Sequence, residues 1–279
     1  MSLTTLVDAA TLAAHLQDPD WRVVDVRHQL LDTTYGERSY REGHIPGAVF
    51  MHCDADLSGV MTGKNGRHPL PLVETLAARL GACGIGAQTQ VVVYDDAQGM
   101  IAGRLWWLLR WLGHDKVAVL DGGLQAWLSS RGDLSREVPE CAPQSFIPQV
   151  RACCVDVDWV RSFIETSRLY LVDARSPDRF RGENETMDPV GGHIPGAANR
   201  FFRDNLQENG CFKTAAQLRT EWLALLGEVA PEKVVHQCGS GVSACHNVLA
   251  MEIAGLHGSK LYGGSWSEWC ADPSRPFCC

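Results

Sequence analysis

The hexapeptide Gly43-His44-Ile45-Pro46-Gly47-Ala48 occurs again 149 residues later, as Gly192-His193-Ile194-Pro195-Gly196-Ala197. A Val-Asp-x-Arg motif precedes each copy, with its aspartate and arginine at Asp25 and Arg27 in the first half and at Asp173 and Arg175 in the second. Because these two residues recur in both halves, we favour a structural ion pair over a catalytic role for them. The matched order of the two motifs indicates that the chain contains a duplication.

Two further blocks extend the duplication. An apolar run followed by a turn and a helix-like segment begins at 91–94 and again at 233–236, and a Gly-Gly block with tryptophan occupies 121–127 and 262–269. A repeat of this length predicts two tandem domains. We place an N-terminal domain at residues 1–135, a linker at 136–152 and a C-terminal domain at 153–279.

The order of apolar and helical segments predicts an α/β fold. Each repeat alternates short β-branched runs with segments of helical length, the pattern of a mainly parallel sheet flanked by helices. We expect helices at 73–80, 101–112, 215–226 and 244–254. Asp8 and Asp156 stand where helix N-caps belong.

The composition is that of a globular protein with an acidic balance. Hydrophobic residues make up 45% and charged residues 21% of the chain, and the net charge of −8 at pH 7 argues against a nucleic-acid partner. The first residues lack the features of a secretory signal and no apolar stretch is long enough to cross a bilayer, so we expect a cytoplasmic location and no membrane partner. The eleven cysteines contain no Cys-x-x-Cys pattern, and we expect no disulfide framework, metal or cofactor.

Cys238 differs from the other cysteines in its setting. It opens the turn Cys238-Gly239-Ser240-Gly241-Val242-Ser243, between a short apolar run and a helix-like stretch. Backbone N–H groups of this turn and the N-terminus of the following helix can converge on the sulfur, and the glycines keep the approach open. Such a site stabilises a thiolate, so the pattern predicts that Cys238 is a nucleophile.

Together these blocks resemble the rhodanese family of sulfurtransferases in its tandem-domain form. The resemblance covers nearly the whole chain and implies two rhodanese-like domains, of which only the C-terminal one is catalytic. The loop after Cys238 is similar to that of the 3-mercaptopyruvate branch, which usually has threonine in place of Ser243. Alignment of the two turns places Asp96 opposite Cys238. A carboxylate cannot accept sulfane sulfur, so we expect the N-terminal domain to be catalytically silent.

The resemblance also implies roles for single residues. Arg179 is similar to the family's substrate-binding arginine, which holds the anionic end of the donor. Ser240 and His44, with Asp32 as the third member, are candidates for a relay that assists the cysteine or protonates the substrate. The donor-binding loop is expected to comprise Gly239, Gly241, Val242 and Ser243. The 3-mercaptopyruvate enzymes usually have a second arginine some nine residues after the first, a position this chain lacks; Arg181 is either its substitute or a solvated surface charge.

The implied reaction is a double displacement through a persulfide. The Cys238 thiolate takes sulfur from a small anionic donor, and a thiol, cyanide or thioredoxin-like acceptor then removes it. The loop favours 3-mercaptopyruvate, because thiosulfate enzymes typically have an arginine and a lysine where this chain has Gly239 and Ser240. Thiosulfate as the donor, and a non-enzymatic sulfur carrier, stay open as alternatives. A phosphatase of the Cys-x5-Arg class is excluded, since Ala244 occupies its arginine position.

Overall fold

The computed structural model describes residues 2–164 and 170–279 and separates the chain into two compact units. The N-terminal unit contains the chain up to Gly59, together with Pro71–Arg151 and Glu208–Cys211. The C-terminal unit contains Val60–Leu70, Ala152–Gln207 and Phe212–Cys279. The segment Val60–Leu70 therefore belongs to the C-terminal unit, although it comes from the first repeat.

The N-terminal unit contains a parallel five-stranded sheet in the order β1-β5-β4-β2-β3. Its strands are β1 (Leu6–Val7), β2 (Trp21–Asp25), β3 (Val49–Phe50), β4 (Gln90–Tyr94) and β5 (Val117–Leu120). Its helices are α1 (Ala9–Ala14), α2 (Tyr35–Glu42), α3 (Val73–Ala82), α4 (Ala102–Trp111) and α5 (Gly123–Ser129).

The C-terminal unit repeats this topology, with a parallel sheet in the order β6-β10-β9-β7-β8. Its strands are β6 (Cys154–Val155), β7 (Tyr170–Asp173), β8 (Ala198–Asn199), β9 (Val234–Gln237) and β10 (Lys260–Tyr262). Its helices are α6 (Val157–Ile164), α7 (Pro177–Phe180), α8 (Ala215–Leu226), α9 (Ser243–Ile253) and α10 (Ser265–Trp269), with short 3₁₀ turns at Phe202–Asn205 and Pro231–Lys233. The predicted α/β architecture with two similar sheets is confirmed.

The four predicted helices correspond to α3, α4, α8 and α9, with ends that differ by at most two residues. The predicted N-caps are also confirmed. The Asp8 carboxylate accepts the Thr11 N–H at 2.7 Å, and the Asp156 carboxylate accepts the Trp159 N–H at 2.8 Å. Each satisfies one of the N–H groups that a helix start leaves without a partner.

The central strand of each sheet is buried along its whole length, as expected when helices cover both faces. All five residues of β4 and all four of β9 are buried. Burial of a valine or leucine side chain stabilises a fold by about 1.5–3 kcal/mol, so these strands form the base on which the loops at their carboxyl ends stand. Among the described residues, no helix has both the length and the apolar character needed to cross a membrane.

The repeated Asp-x-Arg motif forms the same buried ion pair in both units. The Nη2–Oδ2 distance is 2.6 Å between Arg27 and Asp25, and 2.7 Å between Arg175 and Asp173. Each arginine also donates to the carbonyl oxygen of the first glycine of its hexapeptide, at 2.7 Å in both units. The motif thus ties the end of β2 or β7 to the hexapeptide loop, which explains why the two sequence blocks recur together.

Candidate active site

Cys238 directly follows β9, and its thiol is held at the start of the loop that leads into α9. The Gly241 N–H donates to the Cys238 sulfur at 3.2 Å, and the residue is only 2% exposed. The backbone of Cys238 is fixed on both sides, because its N–H donates to the Ser265 hydroxyl at 3.1 Å and its carbonyl accepts the Trp266 N–H at 3.0 Å. The sulfur therefore has a fixed position and a backbone donor aimed at it.

The backbone of this loop requires glycine at Gly241. Its φ of +81° lies in the left-handed region, and a Cβ there would come within 2.2 Å of the Gly263 carbonyl oxygen. Ser265 also has a left-handed φ, of +54°, and is fully buried. Such a conformation costs on the order of 1 kcal/mol in a residue with a side chain, and here it brings the Ser265 hydroxyl under the Cys238 N–H.

A buried guanidinium lies within electrostatic reach of the thiol. Burial opposes the charge of Arg175, but the charges of Asp173, Glu185 and Cys238 outweigh it and raise the pKa of Arg175. Its guanidinium also lies over the Trp266 ring, 4.9 Å from the centroid. The structural ion pair of the C-terminal unit therefore also places a permanent positive charge near the cysteine.

Ser240, the predicted relay serine, pairs with a histidine that the sequence did not single out. His68 Nδ1 lies 2.7 Å from Ser240 Oγ, and both residues are 6% exposed. His68 comes from the segment Val60–Leu70, which belongs to the C-terminal unit. One signal could have pointed to it: the Arg67-His68-Pro69 tripeptide has no counterpart in the second repeat, so the duplicated fold alone does not explain it.

His44, the predicted relay histidine, has both ring nitrogens at backbone carbonyls of its own unit. Nδ1 lies 2.7 Å from the Tyr40 oxygen and Nε2 lies 3.0 Å from the Glu137 oxygen, while the ring stacks on Tyr40. His193, at the matching position, also has its Nδ1 at a backbone oxygen, that of Phe180, and stacks on that ring. Both histidines brace their hexapeptide loops, and the contacts described for His44 lie within its own unit.

Asp32, the predicted third member of the relay, is held within its own turn. Its carboxylate accepts hydrogen bonds from the Arg38 guanidinium and from the hydroxyl and N–H of Thr34. The bonds from Arg38 and Thr34 lower the pKa of Asp32. No described hydrogen bond joins Asp32 to His44, so the two do not form the pair that the relay would need.

Arg179 lies on α7, and a buried acid holds it in place. Its Nη2 lies 2.8 Å from the Glu185 carboxylate. Although burial opposes ionisation of Glu185, hydrogen bonds from the Met187 N–H and from Arg179 hold the pKa of this carboxyl below its usual value. Arg181 is exposed and pairs with Glu183 at 2.7 Å, which agrees with a solvated surface charge.

The remaining predicted loop residues lie beside Cys238. Val242 is buried at the N-cap position of α9, and Ser243 is the first residue of that helix. With Gly239 and Gly241 they form the short path from Cys238 to the helix, so these predicted residues are contiguous in the chain and in the loop.

The sheet registers show which residue of the N-terminal unit corresponds to Cys238. The aspartate of the Asp-x-Arg motif lies beside Tyr94 in one sheet and beside Gln237 in the other. The residue after each of these is the first one beyond the central strand, so Asp95 corresponds to Cys238. The prediction that Asp96 occupies this position is wrong by one residue; Asp96 accepts a short hydrogen bond from the Tyr35 hydroxyl instead.

The Asp95 carboxylate binds the N–H groups of its own loop. It is fully buried and accepts four backbone hydrogen bonds of 2.8–2.9 Å, from Ala97, Gly99, Ile101 and Ala102. Burial raises the pKa of Asp95 even though these four bonds favour its charge. The loop of the N-terminal unit has thus turned its donors inward, onto a side chain that cannot accept sulfur.

A family model described as a rhodanese-like domain matches the chain twice, over residues 8–130 and 156–272. The chain belongs to the rhodanese family. The two matches span most of the chain and confirm the tandem organisation that the internal repeat predicts.

The relatives of this rhodanese carry two kinds of name, 3-mercaptopyruvate sulfurtransferase and thiosulfate sulfurtransferase. It is 46% identical over 279 residues to a probable 3-mercaptopyruvate sulfurtransferase of Pseudomonas aeruginosa, covering 99% of this chain and 98% of that protein. It is 39% identical over 281 residues to a putative thiosulfate sulfurtransferase of Mycobacterium tuberculosis, covering 97% of this chain and 95% of that protein. The crystal structure of a 3-mercaptopyruvate sulfotransferase from Escherichia coli matches with a TM-score of 0.82 at 32% identity, covering 95% of this chain and 99% of the other.

Proposed function

We propose that this rhodanese transfers sulfur from 3-mercaptopyruvate to a thiophilic acceptor through a persulfide on Cys238. The observation that carries the proposal is the Cys238 thiol, which directly follows a buried central strand and accepts the Gly241 N–H at 3.2 Å. A donor at this distance stabilises a thiolate and, later, a persulfide. The names of the relatives, most of them 3-mercaptopyruvate sulfurtransferases, support the donor.

In the proposed reaction, Cys238 is the only residue that forms a covalent bond with the transferred sulfur. The thiolate attacks the sulfur of 3-mercaptopyruvate, an S–S bond forms as the C–S bond breaks, and the electron pair of the broken bond leaves as the enolate of pyruvate. A proton converts the enolate to pyruvate. An acceptor thiolate or cyanide then attacks the outer sulfur, and Cys238 leaves again as a thiolate.

We assign the delivery of that proton to the pair of Ser240 and His68. The 2.7 Å contact between them supports this assignment, as does the position of Ser240 two residues after the nucleophile. A hydroxyl backed by an imidazole can hold a proton near a reacting oxygen or carbon and pass it on. The role first predicted for His44 and Asp32 is better served by His68, because both ring nitrogens of His44 face carbonyl oxygens.

Thiosulfate is the second candidate donor, and one relative bears that name. Thiosulfate carries two negative charges, and the two residues after the nucleophile, Gly239 and Ser240, bring no cation into the loop. We therefore rank 3-mercaptopyruvate first. A ratio of kcat/KM for the two donors, measured with cyanide as the acceptor, tests this ranking.

The decisive experiment compares Cys238→Ser with the matched control Cys278→Ser, which removes an exposed thiol. We expect Cys238→Ser to lower turnover of both donors by about a thousandfold or more, because the substitution removes the thiolate that attacks the donor. Mass spectrometry of the donor-treated protein should find one added sulfur atom on the peptide that contains Cys238. Equal turnover in the two variants, or no sulfur on that peptide, contradicts the proposed function.

The cytoplasm is the compartment we propose for this reaction. All eleven cysteines are free of disulfide bonds, and a reducing compartment supplies the small thiols or thioredoxin-like proteins that would collect the sulfur.

A further inference from the structure

Three side chains of the types that bind metal ions meet at the carboxyl edge of the N-terminal sheet. The neighbouring strands β2 and β3 run parallel, and Asp25 pairs with Phe50 where both strands end. His28 lies three residues beyond Asp25, and Cys53 and Asp54 lie three and four residues beyond Phe50. Because the carboxyl ends of neighbouring parallel strands lie at one edge of a sheet, the three side chains come from loops that start side by side.

The ligand atoms of these side chains are close enough to share one ion. One ring nitrogen of His28, the Cys53 sulfur and one carboxylate oxygen of Asp54 all lie within 4.8 Å of one another. His28 Nε2 and Asp54 Oδ1 are 3.8 Å apart. Metal–ligand bonds of about 2.0–2.3 Å place the ligand atoms of a tetrahedral zinc ion about 3.3–3.8 Å from one another. The three side chains therefore need to close by only about 1 Å to bind such an ion.

The chain beside the ligand atoms is held by hydrogen bonds to side chains. The Asp54 N–H donates to His52 Nδ1 at 3.0 Å, and the Ser58 hydroxyl donates to the Cys53 carbonyl at 2.8 Å. The His52 ring also stands edge-on to the ring of His28, with 5.5 Å between the centroids. His52 is therefore a positioning residue, because it contacts its own loop through Asp54 and the loop after β2 through His28.

Burial and charge at these residues suit a divalent cation. His28 is 4% exposed and Cys53 is fully buried, whereas Asp54 is half-buried and gives a path from solvent. Burial raises the pKa of the Cys53 thiol to about 12, although the charge of Arg104 opposes this rise. The thiol is therefore a poor nucleophile, and an ion that binds its sulfur displaces its proton. The thiolate and the Asp54 carboxylate then balance the two charges of the ion, so that the ion and its ligands carry no net charge.

The C-terminal unit shows that the shared fold does not require these three residues. Asp173 pairs with Asn199 where β7 and β8 end, at the level of the Asp25 pair in the other sheet. The same counts beyond this pair reach side chains with no thiol, imidazole or carboxylate: Ser176, Phe202 and Arg203. Three metal-ligating residue types at matched positions of one unit, and none at those positions of its duplicate, indicate a property that belongs to the N-terminal unit alone.

We propose that His28, Cys53 and Asp54 bind a divalent transition-metal ion, which joins the loops after β2 and β3 of the N-terminal unit. One imidazole, one thiolate and one carboxylate form a ligand set that suits Zn²⁺, whose fourth tetrahedral position takes a further ligand such as water. The sequence predicts no metal because it lacks a Cys-x-x-Cys pattern, but His28 and Cys53 are 25 residues apart and meet because their strands are neighbours. The inference is independent of sulfur transfer at Cys238.

Cobalt(II) chloride is the probe for the thiolate ligand. The full-length, reduced chain carries Cys238→Ser, Cys278→Ser and Cys279→Ser as a background, which removes the proposed nucleophile and the two exposed thiols. In this background we expect one Co²⁺ per chain to bind and to give a thiolate-to-cobalt charge-transfer band in the near ultraviolet. Addition of Cys53→Ser should abolish the band, whereas Cys83→Ser, at another buried thiol of the same unit, should leave it unchanged. No band in the background protein, or equal bands in the Cys53→Ser and Cys83→Ser proteins, would overturn the proposal.

Zinc affinity and thermal unfolding decide the question if Cys53→Ser fails to fold. Asp54 is half-buried, so we expect Asp54→Asn to fold and to weaken Zn²⁺ binding in the same background about tenfold or more, measured by competition with a chromogenic chelator. Asp96→Asn, at an exposed acid of the same unit, should leave the affinity unchanged. Zinc at about a hundred times its Kd should raise the melting temperature of the background protein by about 5 °C, and that of Asp54→Asn by about half as much. Equal zinc affinities and equal shifts in the Asp54→Asn and Asp96→Asn proteins contradict the proposed site.

Discussion

The loop after β4 and the loop after β9 share one scaffold and differ in the side chain at the strand end. In each unit the carbonyl of that residue accepts an N–H from a later helix, α5 or α10: Asp95 from Leu124 at 2.8 Å, and Cys238 from Trp266 at 3.0 Å. The residue just before that donor is left-handed in both, with φ of +58° at Gly123 and +54° at Ser265.

The side chains at these two strand ends decide what the loops do. The Asp95 carboxylate consumes four loop N–H groups and closes its loop around itself. The Cys238 sulfur accepts the Gly241 N–H, and the loop from β9 to α9 is shorter than the loop from β4 to α4. The backbone N–H groups of a loop after a parallel strand can stabilise either the fold or a reacting sulfur. The side chain that follows the strand decides which of the two they do.

Replacement of Asp95 tests whether its carboxylate holds the loop after β4 together, and it has the largest expected effect on stability. Asp95→Asn substitutes an NH2 group for one of the two carboxylate oxygens, so two loop N–H groups lose their acceptor. We expect the free energy of unfolding of the N-terminal unit to fall by about 3 kcal/mol, measured by urea titration. Asp96→Asn, one residue away and exposed, should cost less than about 0.5 kcal/mol. Equal losses in the two variants would contradict the assignment of Asp95 as the counterpart of Cys238.

Replacement of the two candidate histidines tests whether the loop after β9 needs a histidine as well as Cys238 for sulfur transfer. We expect His68→Asn to lower kcat for 3-mercaptopyruvate about tenfold to a hundredfold, because proton delivery to the enolate loses its imidazole. His44→Asn should leave kcat of the folded protein within about twofold and instead lower the melting temperature, since His44 bridges two backbone carbonyls. Steady-state kinetics and thermal unfolding of both variants check this. The reverse pattern would restore His44 to the relay.

The duplication made most of the fold predictable. The repeated motifs, the alternation of apolar runs with helical segments and the caps at Asp8 and Asp156 are all local signals, and each is confirmed. Cys238 and Arg179 could also be singled out from the sequence as candidate site residues, because the glycine turn and the motifs of the family resemblance lie close to them in the chain. The strand that precedes Cys238 could be recognised without any knowledge of its partner strands.

The rest of the site depends on contacts that leave no local trace. The one-residue error at Asp96 arose because an apolar run does not mark where a strand ends; the hydrogen bonds from neighbouring strands to Tyr94 and Gln237 do. His68 lies 172 residues before its partner Ser240 in the chain. Only the fold shows that the segment of His68 belongs to the C-terminal unit.

His236 gives the two central strands a different response to pH. It lies on β9 two residues before Cys238, at the position that Val93 occupies on β4. Its ring is fully buried against Trp222, with Nε2 3.2 Å from the Met251 sulfur. Burial, with a smaller effect of the Arg200 charge, lowers the pKa of His236 to about 3.

A depressed histidine pKa makes folding depend on pH in one direction. An unfolded histidine titrates near 6.5, so between about pH 6.5 and 3 the unfolded chain binds a proton that the folded unit does not. The titration of His236 therefore does not affect the free energy of unfolding above about pH 6.5. Below that pH the free energy of unfolding falls, by up to about 1.4 kcal/mol per pH unit. In His236→Val, which copies the N-terminal unit, we expect this part of the slope to disappear from urea unfolding curves measured between pH 7 and 4.5. His257→Val, at an exposed histidine, should keep the wild-type slope; an unchanged slope in His236→Val would show that other groups govern the acid sensitivity of the C-terminal unit.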